Sequence, residues 1–205
     1  MAAVAPVAIH RPLAPEESAR ADLYALLARL VGSPPDSALL RAIATAGPLG
    51  GQSNLAAAWQ ALVDASSAMD GDAAHDEYQA LFGGVGKAAV SVYAGHYTGA
   101  TAVEHPRIRI QRDLEALGLA HRSTTQPEDH LGALFDAMRV LVAGGAGRGP
   151  ATLAEQQGFF ESHVKKGAGK FFATVATAKD ANYYRRVAAL GTAFLDVESE
   201  SFPLD

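Results

Sequence analysis

NYYRRVAALGTAFLDVE, residues 182–198, decides the fold class. Tyr183, Val187, Leu190, Phe194 and Val197 recur at spacings of four and three, the period of one apolar helix face. Asp180 stands where an N-cap belongs, with a short carboxylate to accept the first free N–H groups.

The same period runs back through the chain. Leu23, Leu26, Leu27 and Leu30 line a first helix that Gly32 stops. Ser33-Pro34-Pro35 restarts the chain into a helix carrying Leu39, Leu40 and Ile43, which Gly47 to Gly51 break. Leu55, Trp59, Leu62, Val63 and Met69 mark a third helix. Asp72 opens a fourth, with Tyr78, Leu81 and Phe82 near its end. Residues 83–99, GGVGKAAVSVYAGHYTG, have no clean period and read as the longest irregular stretch, the kind of segment that tends to carry function. Helix resumes at Pro106 and stops at Gly118, and Leu153, Phe160 and Val164 belong to another. The expectation is an all-α protein, a single helical bundle of about eight or nine helices over residues 16–205. A flexible arm precedes it at 1–15, and the glycine-rich run 144–149 can serve as a hinge. Ser91-Val92-Tyr93 is β-prone but too short to build a sheet, and no internal repeat is visible.

Composition narrows the function. Apolar residues make up 49% and charged residues 19% of 205, which suits a folded domain with a real core. The net charge is -5 and no basic stripe occurs, which speaks against nucleic acid and favours a cationic partner. There is no cysteine, so disulfides and thiolate sites are excluded. No apolar run approaches the ~18–20 residues a bilayer span needs. The first 15 residues lack the basic start of a signal peptide and are broken by Pro6 and Pro12. A soluble cytoplasmic protein is expected.

TTQPEDHLGALFDAM, residues 124–138, holds the densest polar cluster. Thr125 to Glu128 has the form of a capping box, Pro127 suits a first helical turn, and Glu128 and Asp129 suit the positive end of a helix dipole. Leu131, Leu134, Phe135 and Met138 then form one apolar stripe. A well-made helix start accounts for most of this. His130 does not fit that account, because a charged histidine gains nothing there; it is neutral or held by a carboxylate. Asp129 and His130 project from different faces and can line a concave site.

Other chemistry is thinner. Residues 83–87, GGVGK, lack the spacing, the hydroxyl residue and the preceding strand of a phosphate loop. The pairs Asp72 and His75, Glu104 and His105, Glu128 and His130, and Glu161 and His163 are scattered, and no Glu-x-x-His recurs on facing helices. His163, beside Phe159 and Phe160, reads as a packing histidine. A helical enzyme using a metal or a nucleotide with His130 and its acidic neighbours is the alternative reading. No metal or cofactor is expected.

From residue 16 to 200 the chain resembles the TorD/DmsD/NarJ family of molybdoenzyme maturation chaperones. Tyr78-Gln79-Ala80-Leu81-Phe82-Gly83 is similar to the family's aromatic-x-x-Leu-Phe segment, and Ser91-Val92-Tyr93 comes after the glycine-rich loop as in that family. Pro127-Glu128-Asp129-His130-Leu131, with Met138 eight residues after the histidine, is similar to the most diagnostic motif. Residues 155–175 and 182–198 fit the last helices. The chain departs from the family at Lys87 to Val90, where a Pro-aromatic step is usual, and at Gly167, where an aromatic commonly stands. Leu134 and Asp136 occupy positions that are often acidic.

The resemblance implies a helical chaperone, monomeric or a domain-swapped dimer. It implies binding of the twin-arginine signal peptide, or N-terminal segment, of a molybdopterin oxidoreductase such as a formate dehydrogenase or dimethyl-sulfoxide reductase. It implies no catalysis. Tyr78, Leu81, Phe82, Ser91, Tyr93, Pro127, Glu128, Asp129 and His130 are the candidate peptide-binding residues. The carboxylates suit the arginines, and the apolar and aromatic groups suit the hydrophobic run next to them.

Overall fold

Pro15 opens α1 (Pro15–Gly32), where a missing N–H costs nothing, and Glu16 and Glu17 face the positive end of the dipole. The computed structural model describes residues 13–83, 88–99, 105–119, 127–145 and 148–202. After α1 come α2 (Ser37–Ala44), α3 (Asn54–Ala68), α4 (Gly71–Phe82), α5 (Ala94–Thr98), α6 (Pro106–Ala116) and α7 (Leu131–Ala143). The last elements are α8 (Leu153–Phe159), a π-helical turn (Phe160–Val164), α9 (Lys165–Thr177) and α10 (Tyr183–Ser201). The π turn joins α8 to α9 without a break, so the described residues form nine separate rods. Isolated bridges are the only β pairings among them. The protein is all-α, as its periodicity requires.

The core centres where α1, α7, α9 and α10 meet. Tyr24 packs edge-on to Phe194 at 4.7 Å, and Phe135 stacks on Phe172 at 6.0 Å. Each fully buried large apolar side chain contributes about 1.5–3 kcal/mol. Two glycines permit the close approaches. A Cβ at Gly132 would stand 3.1 Å from the Ala28 carbonyl, so α7 lies directly on α1. A Cβ at Gly191 would fall 2.2 Å from the Phe172 ring, which occupies that space.

The helix starts are where tertiary structure departs from the sequence reading. Asp36, Ser53, Asp70 and Thr152 cap their own helices, and Thr152 with Glu155 forms a capping box. Asp180 does not cap α10. Glu77 on α4 does so, accepting from Asn182 N (2.7 Å), Tyr183 N (3.0 Å) and Tyr184 N (2.8 Å). α7 begins at Leu131 with His130 as its N-cap, so Pro127, Glu128 and Asp129 precede the helix instead of forming its first turn. The irregular stretch 83–99 contains a helix, α5, because Ala94 seats against Gly167 of α9. The arm over residues 1–12, Gly84 to Lys87, Glu104, Thr125 and the hinge residues 146–147 lie outside the described residues.

Candidate functional site

α4 sets one half of the site. Glu77 ties α4 to the start of α10, and this register carries Tyr78 and Phe82 onto Tyr184. Phe82 is half-buried, edge-on to Tyr78 (5.1 Å) and Tyr184 (5.0 Å) and 5.7 Å from Phe171. Tyr78 donates its hydroxyl to Val31 O (3.1 Å), and Tyr184 donates to Leu30 O (2.9 Å). The last carbonyls of α1, which no helical N–H can reach, are satisfied this way. Leu81 points into the core, and its carbonyl accepts from Val90 N at 2.8 Å.

A two-sided backbone pairing builds the other half. Leu131 N donates to Val92 O and Ala94 N donates to Asp129 O, each at 2.8 Å, which sets Tyr93 antiparallel to His130. The β-prone Ser91-Val92-Tyr93 is thus a strand of one bridge, and it fastens the two family-like blocks side by side. The Ser91 hydroxyl accepts from Tyr93 N (3.3 Å), and Ser91 O accepts from the Tyr97 hydroxyl (2.7 Å). Gly95 leaves room for Asp129: a Cβ there would stand 2.9 Å from Asp129 Oδ2.

His130 is buried in this pairing. Its Nδ1 accepts from Gly132 N at 3.1 Å, and its ring meets Tyr93 edge-on at 5.6 Å. Burial lowers its pKa from 6.5 to about 4, so it is neutral at physiological pH. His130 is therefore a helix cap and a floor for Tyr93, which remains 40% exposed.

Pro127 O accepts from His130 N at 3.0 Å, a turn that directs Glu128 outward. There Glu128 Oε2 accepts from Arg107 Nε (3.1 Å) and from Arg107 Nη2 (2.9 Å). Asp129 Oδ1 lies behind, 3.9 Å from Arg107 Nε. The Arg107 pKa is raised by the Glu128 bond and charge first, then by Asp129 and Tyr93. The Tyr78 pKa is raised by burial first and then by Tyr93. Backbone bonds join the two halves: Val90 N on Leu81 O holds the segment before Tyr93 to the end of α4, and Tyr93 pairs with His130 next to the carboxylates. The arrangement can hold a guanidinium through charge-assisted bonds and offer aromatic faces beside it.

Sequence reading missed Arg107. The signal was present: Arg107 comes directly after Pro106 at the start of α6, where the dipole disfavours a cation, so it needs an anionic partner elsewhere. Gly95, Glu77 and Gly167 carry no such local signal.

A second polar pair lies apart from this site. His163 on the π turn meets Asp113 of α6, Nε2 to Oδ2 2.8 Å, beside a cavity of about 230 Å³ lined by Leu117, Phe159 and Gly158 among others. His163 packs on Phe159 at 5.0 Å, and burial lowers its pKa against the pull of Asp113. Among the described residues, no three His, Asp or Glu side chains gather as a metal-binding set, and no helix is long and apolar enough to cross a membrane.

The family described as nitrate reductase delta subunit matches this chain over residues 50–173. That span covers more than half the chain and holds all nine candidate residues. No curated protein and no solved structure matches.

Proposed function

The chain belongs to the nitrate reductase delta subunit family of molybdoenzyme maturation chaperones, and from that premise we propose that it binds an arginine-bearing N-terminal segment of its client. The segment is the twin-arginine signal peptide, or a similar leader, of a molybdopterin oxidoreductase. The chaperone holds it in the cytoplasm until maturation is complete, and performs no catalytic step of its own. Family members bind molybdoenzyme catalytic subunits; the leader is the part of such a client whose chemistry suits this surface.

The observation that carries the reading is the guanidinium already seated between Glu128 and Asp129. It supports these carboxylates as an arginine subsite, because their geometry accepts one as it stands. Tyr93 at 40% exposure and half-buried Phe82 and Tyr78 offer flat apolar faces for the hydrophobic run beyond the arginines of an export leader. A charge-assisted bond to arginine contributes about 1.5–3 kcal/mol. Two or three such contacts with one or two aromatic anchors, less the ordering cost, give affinity of micromolar order or tighter.

The test is titration of the full chain with a synthetic twin-arginine leader. Glu128→Gln and Asp129→Asn keep size and remove charge, and each is expected to weaken binding by about tenfold to a hundredfold. Their urea midpoints should stay near the parent's. Equal affinity in both variants would remove the carboxylates from the site.

A further inference from the structure

We propose that Arg107 is a built-in competitor for the client's arginine: it fills the subsite between Glu128 and Asp129 in the free chaperone and must swing out for a leader to dock. The inference rests on the reading of that subsite given above.

Three observations converge on Arg107. Its contact has the form a client arginine would take, with two nitrogens on one carboxylate oxygen and a second carboxylate behind. The lodging is reversible by geometry. The Arg107 side chain is 48% exposed, whereas Glu128 and Asp129 are 18% and 9% exposed, so the cation can leave and the anions stay. Its position does not serve its own helix: the start of α6 is the end where a positive charge is unfavourable. The carboxylates offset this only while Arg107 points at them. A cation that its helix does not favour, held on a pair of anions that are fixed, is poised for exchange.

The exchange is uneven. A client guanidinium takes the place of the Arg107 guanidinium on Glu128, and it gains more there, where the docked leader shields the contact from water, than the exposed Arg107 pair gives up. An apolar segment without arginine gains nothing from displacing Arg107, because it brings no cation to take that place. Arg107 thus acts as a brake: it opposes every ligand that takes this subsite, and a ligand that brings a cation of matching shape more than offsets the cost of displacing it.

The experiment compares the full chain with Arg107→Gln and Arg109→Gln. Arg109 is an exposed arginine on the same helix, so its loss changes the net charge equally. Two peptides are titrated into each: a leader with consecutive arginines, and the same leader with glutamine in their place. Arg107→Gln is expected to bind the arginine leader about three- to fivefold more tightly, the range of an exposed ion pair. It should bind the glutamine leader more tightly by a similar factor, because that leader is spared the same displacement, while Arg109→Gln leaves both affinities near the parent's. Unchanged or weaker binding of the arginine leader by Arg107→Gln overturns the proposal and leaves the subsite reading intact. Equal gains in both variants overturn it in favour of a general field effect. If no form of the protein prefers the arginine leader, the subsite reading falls and this one with it.

Discussion

At the scale of single residues, His130 is the clearest case of burial setting chemistry. It takes the hydrogen-bond-accepting role of an N-cap, Nδ1 toward Gly132 N, and that role needs the neutral ring. Its pKa falls from 6.5 to about 4 because burial penalises the charged form. Below pH 6.5 the unfolded chain takes a proton at this site that the folded chain refuses, so stability is lost as pH falls from about 6.5 to about 4. The loss from this group is roughly 3 kcal/mol once it is complete. Urea midpoints measured from pH 7.5 downward should fall more steeply for the parent than for His130→Asn, whose amide can cap without titrating. Parallel profiles would mean that His130 takes up its proton as readily in the folded chain as in the unfolded one. The other depressed histidine, His163, is present in both proteins and drops out of the comparison.

At the scale of elements, the site depends on a contact that no element makes by itself. The Glu77 carboxylate accepts from three successive backbone N–H groups at the start of α10, where charge and dipole add. This one interaction fixes the register of α4 on α10, and with it the seating of Phe82 on Tyr184. Glu77→Gln keeps one acceptor and loses the charge; Glu77→Ala loses both. The expected losses of stability are about 1 kcal/mol and about 2–3 kcal/mol, read from urea denaturation. Asp180→Ala, by contrast, should be close to neutral. A larger loss from Asp180→Ala than from Glu77→Ala would reverse the assignment. α5 shows the same dependence. Its five residues are too few to be stable alone, and it exists because Gly167 lets Ala94 approach α9. Gly167 is thus a docking place for the helix that begins after Tyr93.

At the scale of the whole molecule, one buried ion pair joins the two ends of the described chain. Glu198 on α10 is fully buried and accepts from Arg20 Nε (2.7 Å), Arg20 Nη2 (2.9 Å) and the Tyr24 hydroxyl (2.8 Å) of α1. Burial and the Glu198 charge raise the Tyr24 pKa well above its ordinary value. The Phe202 ring lies 5.5 Å from the Arg20 guanidinium carbon. Removing Arg20 strands the Glu198 carboxylate in the core, whereas Arg20 also holds Glu17 at 2.9 Å. Arg20→Met should therefore cost about 3–5 kcal/mol, a large part of the ~5–15 that such a domain has. Replacing both partners, Arg20→Met with Glu198→Leu, should cost much less than Arg20→Met alone. The order of the urea midpoints checks this, and a double variant as unstable as the single one would show that the pair itself is what stabilises the fold.

The helical class was legible because it rests on a short-range property. A side chain three or four residues on lies on the same face, and an apolar stripe at that spacing must be buried, so Tyr183, Val187, Leu190 and Phe194 announced α10 and are buried in it. The same rule failed one step later. Val197 continues the stripe yet is 41% exposed, and Glu198 takes the inward place because Arg20 and Tyr24 await it from α1. Caps and anchors divide in the same way. Asp36, Ser53 and Asp70 serve their own helices within three residues, whereas Glu77 and Arg107 serve segments far away in sequence. The Pro127–Leu131 block could be recognised as a unit from the sequence. Its division into a cap at His130 and two carboxylates ahead of the helix, Asp129 buried and Glu128 more open, came only from the bridge with Tyr93, because a hydrogen bond between distant backbones leaves no period in either segment.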